Sequence, residues 1–220
     1  MLAAAGGLLA PTSLFAAEAH PAAGVTPDAA LQRLMAGNAR YLAGRLTHPD
    51  TDMARRSALK GGQQPFATVL GCADSRVPPE LIFDQGLGDI FDVRVAGNVV
   101  DDAVLGSIEY AVVHLACPLV MVLGHQRCGA VTATLQALDG KGSEEDRETK
   151  IGALAALITP AARSAPAGGD RLDAAVRANA RRQAELLLAD SPALEAHAAA
   201  GKLKVVSARY DLDDGRVTLL

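Results

Sequence analysis

The spacing of apolar and polar positions predicts short buried strands separated by helices. Three short runs are rich in apolar side chains and have the length of strands: residues 66–71, 90–95 and 119–123. Helices are predicted for three further segments: residues 26–44, 101–115 and 129–138. Because strands that alternate with helices form parallel pairs, the pattern predicts an α/β domain whose mostly parallel central sheet is flanked by helices.

The rest of the chain predicts a loop, a helical region and a C-terminal hairpin. Residues 45–62 are polar and rich in turn formers, which is typical of a loop with one short helix. Residues 151–200 are rich in alanine and predict helices. Breaks in this region are predicted at Pro160, at residues 166–169 and at Ser191–Pro192. Residues 203–208 and 217–220 flank an Asp-Asp-Gly turn and predict the two strands of the hairpin.

Composition and charge exclude several classes of protein. The 220 residues suffice for one domain with a full core, and no internal repeat is present. Half of the residues are hydrophobic, yet no internal apolar run is long enough to predict a membrane span. The formal net charge is −4, and the basic residues form no stripe with aromatic residues between them, which argues against a nucleic-acid partner. A small neutral or anionic substrate fits this charge better.

The N-terminal segment predicts export. Residues 1–19 contain an apolar stretch followed by Ala-Glu-Ala, a small-x-small cleavage pattern, and are interpreted as a secretory signal peptide that leaves residues 20–220 as the domain. The expected location is therefore the periplasm. No basic residue precedes the apolar stretch, as a signal peptide would require. The alternative is an alanine-rich tail on a cytoplasmic protein.

Three metal-binding side chains stand in two short stretches. Cys72, His125 and Cys128 can supply a Cys2His set for zinc with one position open, the arrangement of a catalytic rather than a structural site. Cys72 and His125 follow the first and third predicted strands, at the sheet edge where ligands collect. Asp74 and Arg76 follow Cys72 at steps of two, so thiolate, carboxylate and guanidinium can line one opening.

The cysteines also admit a structural interpretation. In an oxidising compartment Cys72 and Cys128 could form a disulfide, although that pairing would require neither His125 nor Asp74. Cys117 lies in an apolar run and is interpreted as a buried thiol, outside the ligand set.

These motifs resemble those of the beta-class carbonic anhydrases. The resemblance rests on Gly-Cys-Ala-Asp-Ser-Arg-Val-Pro-Pro-Glu at residues 71–80, Gly-Ser-Ile-Glu-Tyr at 106–110 and Leu-Gly-His-Gln-Arg-Cys-Gly-Ala-Val at 123–131, and it extends over roughly residues 26–220. The chain departs from the family at Val95, where asparagine is more common. It also lacks tryptophan, which argues against the bicarbonate-inhibited subgroup that uses one in a regulatory pocket.

The resemblance implies a fold, an activity and a set of site residues. It implies the beta-carbonic anhydrase fold and the reversible, zinc-dependent hydration of carbon dioxide to bicarbonate and a proton through zinc-bound hydroxide. One Zn²⁺ per subunit would be bound by the Cys72, His125 and Cys128 side chains, and Asp74 with Arg76 would form the catalytic dyad. The implied partners are carbon dioxide or bicarbonate and further copies of the chain, as a dimer or a higher even oligomer with sites near the subunit interface.

The resemblance also implies two substrate-binding groups. The Gln63 side chain and the backbone N–H of Gly129 would donate hydrogen bonds to bicarbonate. Glu80 and Arg94 are interpreted as structural. The proton shuttle stays unassigned, because none of the histidines outside the ligand set has motif support: His20, His48, His114 and His197.

The sequence alone leaves two alternative functions. The same metal scaffold could hydrolyse carbonyl sulfide or carbon disulfide, and the residues near the metal do not separate these substrates from carbon dioxide. The other alternative is a non-enzymatic zinc-binding protein, which Asp74 and Arg76 beside an open metal position argue against.

Overall fold

A five-stranded sheet forms the centre of the computed structural model, which describes residues 24–145, 149–166 and 168–220. Its strands are β1 (Ala67–Gly71), β2 (Ile90–Arg94), β3 (Leu119–His125), β4 (Lys204–Tyr210) and β5 (Val217–Leu219). The strand order is β2-β1-β3-β4-β5, with parallel pairs throughout except for the antiparallel pair β4–β5. The predicted α/β fold, its mostly parallel sheet and the C-terminal hairpin are confirmed.

Helices flank this sheet in the described part of the chain. They are α1 (Pro27–Leu42), α2 (Met53–Ala58), α3 (Pro79–Ile82), α4 (Asp102–Leu115), α5 (Gly129–Leu138), α6 (Ile151–Ser164), α7 (Arg171–Ala189) and α8 (Pro192–Ala199), with short 3-10 turns at Leu59–Gly61 and Ala96–Asn98. The sequence pattern does not predict α3, because four residues are too few to show a helical period.

The predicted break at Pro160 is wrong. α6 continues through Pro160 to Ser164. The apolar residues on both sides of the proline, Ile158, Ala161 and Ala162, are buried, so their packing outweighs the loss of one backbone hydrogen bond. At Ser191 the predicted break is confirmed, because the Ser191 side chain accepts from Leu194 N–H and starts α8.

The core lies on both faces of the sheet. Every residue of β1 and of β3 is buried, which explains why these strands appear in the sequence as continuous apolar runs. One hydrophobic cluster contains Val69, Met121 and Leu123, and the other contains Leu70, Val120 and Val122. Successive side chains of β1 and β3 therefore enter opposite halves of the core.

The structure bears differently on a membrane span and on the predicted signal peptide. No helix within the described residues is long and apolar enough to cross a membrane. The predicted signal peptide at residues 1–19 lies outside the described residues, and export stays a prediction.

Substitution of Gly37 by alanine is expected to destabilise the domain by about 3 kcal/mol or more. Gly37 lies in α1, and a Cβ at this position would come within 1.6 Å of the backbone oxygen of Phe83. Urea unfolding compares this variant with Gly61→Ala in the turn at Leu59–Gly61, where nothing lies within 4 Å of an added Cβ. The control is expected to change the free energy of unfolding by no more than about 1 kcal/mol. Equal unfolding midpoints for the two variants would contradict the close packing of α1.

Candidate metal centre and active site

The parallel strands β1 and β3 bring the predicted metal ligands together. Cys72 directly follows β1, His125 ends β3, and Gly71 pairs with Leu123 in the register of the two strands. Cys128 precedes the first residue of α5. One ligand atom from each side chain lies within 4.8 Å of the other two, and the three residues are 4%, 0% and 1% exposed.

This cluster fits a metal ion. The Nε2 atom of His125 is buried and has no hydrogen-bond partner among the described residues, whereas Nδ1 lies 3.0 Å from the Gln126 carbonyl oxygen. A hydrogen bond donated by Nδ1–H leaves the Nε2 lone pair free for a metal. All three cysteines are free thiols, so the alternative Cys72–Cys128 disulfide is not formed. Two thiols and one imidazole form a donor set that soft and borderline metals prefer.

The buried side chains of Cys72 and Cys128 shift each other's pKa in opposite directions. A hydrogen bond from the Cys128 thiol lowers the pKa of Cys72 to about 4, with further lowering by His125 and by the Gly97 N–H, although burial acts in the opposite direction. The same contact with Cys72, together with burial, raises the pKa of Cys128. Cys72 is therefore the thiol of the pair that ionises more readily, and the thiolate is the form that binds a metal.

Asp74 and Arg76 form a rigid ion pair beside the cluster. Arg76 donates from Nε to Asp74 Oδ1 at 2.9 Å and from Nη2 to Oδ2 at 2.7 Å, and its backbone N–H also donates to Oδ1 at 2.9 Å. These hydrogen bonds hold the pKa of Asp74 well below its usual range. Asp74 Oδ2 lies 3.8 Å from His125 Nε2. The carboxylate thus faces the metal-binding atoms, while the half-exposed guanidinium lies on its outer side.

Arg94 and Gly97 support the loop that carries Cys72. Arg94 donates to the Cys72 carbonyl oxygen at 2.9 Å and to that of Asp74 at 2.6 Å, which agrees with its predicted structural role. Gly97 N–H lies 3.3 Å from Cys72 Sγ. No sequence motif indicates a role for Gly97. Its φ of 76° and its close approach to Ile158 are the physical reasons for glycine at this position.

The two predicted substrate-binding residues lie in different places. Gly129 is exposed at the first position of α5, next to Cys128, where a helix start presents free N–H groups. Gln63 is exposed in the loop before β1. In this loop, Phe66 N–H donates to the Asp89 carbonyl oxygen just before β2, so the loop meets the amino ends of the strands. The Cys72, His125 and Cys128 cluster lies at the carboxyl ends of the strands.

The histidines outside the cluster have local contacts. His114 lies against the ring of Tyr110 on α4, and His197 Nδ1 lies 2.8 Å from the Ala193 carbonyl oxygen within α8. His48 has a positive φ in the loop after α1, and His20 lies outside the described residues. The positions of the described histidines do not identify a proton shuttle.

Known proteins are similar to this chain in sequence and in fold. A family model described as carbonic anhydrase matches residues 67–217, which is more than half of the chain. Carbonic anhydrase 2 of Mycobacterium tuberculosis is 45% identical over 194 residues, which cover 88% of this chain and 92% of that protein. The solved structure of the beta-carbonic anhydrase CcaA is 27% identical, covers 86% of this chain and 94% of its own, and has a TM-score of 0.66.

A further structural match concerns the fold alone. It is one of two tetrameric beta-carbonic anhydrases from the filamentous ascomycete Sordaria macrospora, with 24% identity, a TM-score of 0.65 and coverage of 83% of this chain and 90% of its own. From the family match and the relatives together, the chain belongs to the carbonic anhydrase family and has the fold of its beta class.

Proposed function

We propose that this protein is a zinc enzyme that reversibly hydrates carbon dioxide to bicarbonate and a proton. Carbon dioxide hydration is the general reaction of the family to which the chain belongs. The observation that carries the proposal is the buried cluster of Cys72, His125 and Cys128, with the Asp74 carboxylate 3.8 Å from His125 Nε2. A zinc ion bound by these three side chains supplies a Lewis acid that makes water nucleophilic near neutral pH.

Asp74 orients the attacking water. Its Oδ2 atom accepts a hydrogen bond from that water and so turns an oxygen lone pair toward the carbon of carbon dioxide. Because Arg76 binds both carboxylate oxygens, Asp74 stays ionised and is held in place. The same pairing keeps the carboxylate from acting as a fourth ligand that would close the metal site.

Bicarbonate is held at the same opening. The exposed N–H of Gly129 at the start of α5 donates to a bicarbonate oxygen, since unpaired N–H groups at a helix start favour anions. The Arg76 side chain, 53% exposed, adds positive charge at this opening. Both groups favour an anion over the neutral substrate.

Stopped-flow carbon dioxide hydration tests the proposal on the full chain, with zinc content measured on the same sample. Hydration that rises in proportion to bound zinc, and that a chelator removes, is the expected result. Bound zinc without hydration at neutral and alkaline pH would overturn the proposal, and would direct the search to carbonyl sulfide or carbon disulfide. A chain that binds no zinc would overturn the metal assignment.

Self-association is part of the proposal. The Sordaria macrospora relatives are described as tetrameric. In the described part of this chain, β2 forms the outer edge of the sheet and pairs only with β1, which leaves its other side open to a second copy. Beside it lies a cleft of about 590 Å³ whose lining includes Phe91, Tyr110 and Val113. An apolar cleft next to an open strand edge suits a symmetric interface.

In an oligomer, the Gln63 side chain can reach the metal centre of another subunit. β1 alone spans about 17 Å at the usual rise per residue, and Gln63 precedes its amino end whereas Cys72 follows its carboxyl end. A Gln63 side chain that binds bicarbonate is therefore supplied to the site of another subunit.

Mixed oligomers of two impaired variants are expected to regain activity. Co-expression of Gln63→Ala and Cys128→Ser under different tags allows the hetero-oligomers to be isolated. Each mixed dimer then contains one complete site, so about half of the wild-type rate is expected. Oligomers of Cys72→Ser with Cys128→Ser are the control, because neither chain has a complete ligand set. If the first mixture is no more active than Gln63→Ala alone, Gln63 does not act across the interface.

A further inference from the structure

The loop that joins two of the cluster residues has an unfavourable backbone conformation. Between His125 and Cys128, Arg127 adopts a φ of 54°, in the left-handed region that a Cβ atom disfavours. The backbone conformation of Gln126 and Arg127 sets the position of Cys128 relative to His125. A residue in this conformation persists only when contacts around it impose it.

Asp213, in the turn of the C-terminal hairpin, provides those contacts. Arg127 donates from Nη2 to Asp213 Oδ1 at 2.6 Å and from Nη1 to Oδ2 at 3.2 Å. Gln126 Nε2 donates to Asp213 Oδ2 at 3.0 Å. One carboxylate therefore binds both residues that separate His125 from Cys128.

The hairpin also binds Gln126 through its backbone. The Gln126 side-chain oxygen accepts from Leu212 N–H at 3.1 Å, and Gln126 N–H donates to the Tyr210 carbonyl oxygen at 2.9 Å. The side chains of Arg127 and Gln126 and the Gln126 N–H thus all bind the end of β4 and the turn that follows it, at residues 210–213, more than 80 residues later in the sequence.

The turn is itself anchored in the interior. Asp213 N–H donates to Asp211 Oδ1 at 2.8 Å, and Arg209 donates to Asp211 Oδ2 at 2.7 Å. Arg209 is almost fully buried and also donates to Asp173 on α7. A continuous chain of charged hydrogen bonds therefore connects α7 to the loop between His125 and Cys128.

We propose that Asp213 is a positioning residue of the metal centre, which acts through Arg127 and Gln126 to fix the spacing of His125 and Cys128. Arg127 and Asp213 are 51% and 64% exposed, and an isolated exposed ion pair contributes little. The Arg127–Asp213 pair differs from an isolated pair in two ways. Two guanidinium nitrogens of Arg127 bind the two carboxylate oxygens, and Gln126 binds the same carboxylate. The inference rests on the proposed function in taking zinc as the metal.

The test compares Asp213→Asn with Asp214→Asn in the full chain. Asp214 is an exposed neighbour in the same turn, and its contacts are with Arg216. Zinc affinity, measured by competition with a chromophoric chelator, is expected to fall about tenfold in Asp213→Asn and to stay unchanged in Asp214→Asn. The visible spectrum of the cobalt-loaded Asp213→Asn variant is expected to shift, which a loss of fold stability alone would not cause.

Arg127→Lys provides a second variant if Asp213→Asn does not fold. Lysine keeps the charge but cannot bind both carboxylate oxygens, so zinc affinity is again expected to fall. Zinc binding by Asp213→Asn that is as tight as that of Asp214→Asn would overturn the positioning role while leaving the proposed function intact. A wild-type chain that binds no zinc would overturn the proposed function and this inference together.

Discussion

Substitution of Cys128 by serine is expected to abolish tight zinc binding and to reduce carbon dioxide hydration to the level of the chelator-treated protein. The Cys128 thiol is buried and lies within 4.8 Å of the ligand atoms of Cys72 and His125, so its removal would leave two protein ligands for the proposed zinc ion. A metal that acts as a Lewis acid contributes several kcal/mol to a transition state, which corresponds to about a thousandfold or more in rate. Zinc content and stopped-flow hydration are measured on the same sample.

Cys117→Ser is the matched control for this experiment. Cys117 is also a buried free thiol, but its contacts are with the Thr68 hydroxyl and the Leu119 carbonyl oxygen. A serine hydroxyl can form the same two hydrogen bonds. Burial raises the pKa of Cys117 to about 11, in contrast to the lowered pKa of Cys72. The control is expected to retain zinc and activity. Equal zinc content in Cys128→Ser and Cys117→Ser would exclude Cys128 as a ligand.

The sequence was sufficient to predict the architecture and the cluster residues. The strands before Cys72 and His125 are buried on both faces, so their apolar runs were long enough to recognise. Because the carboxyl ends of neighbouring parallel strands meet, the position of Cys72 beside His125 followed from the fold itself. The Asp74–Arg76 pair is equally local, since only Ser75 separates its two members.

Contacts between distant parts of the chain could not be predicted. Asp213 is one of several acidic residues in a polar turn, and nothing in its neighbours shows that it binds Arg127. Gly97 depends on the left-handed turn after β2 and on the nearby side chain of Ile158. Pro160 shows the opposite effect, because buried alanines around it keep a helix intact where local propensity predicts a break.

Substitution of Asp74 by alanine is expected to reduce carbon dioxide hydration about a hundredfold to ten-thousandfold while zinc stays bound. The carboxylate is not part of the Cys72, His125 and Cys128 cluster, and its proposed role is to accept a hydrogen bond from the attacking water. Asp74→Asn distinguishes this role from simple packing. The asparagine side chain keeps the size of aspartate, but it loses the charge that Arg76 binds and replaces one acceptor oxygen by a donor.

The pH dependence of these losses follows from the Asp74–Arg76 pair. Because the hydrogen bonds from Arg76 hold the pKa of Asp74 far below its usual range, the carboxylate is ionised at every pH where the wild-type enzyme is assayed. The ratio of wild-type to Asp74→Ala rates is therefore expected to be constant from about pH 6 to pH 9. A ratio that rises through this range would mean that Asp74 titrates there and that Arg76 does not fix its charge. Full activity of zinc-loaded Asp74→Ala would remove the carboxylate from the mechanism altogether, and the orientation of water would then need another group at the opening.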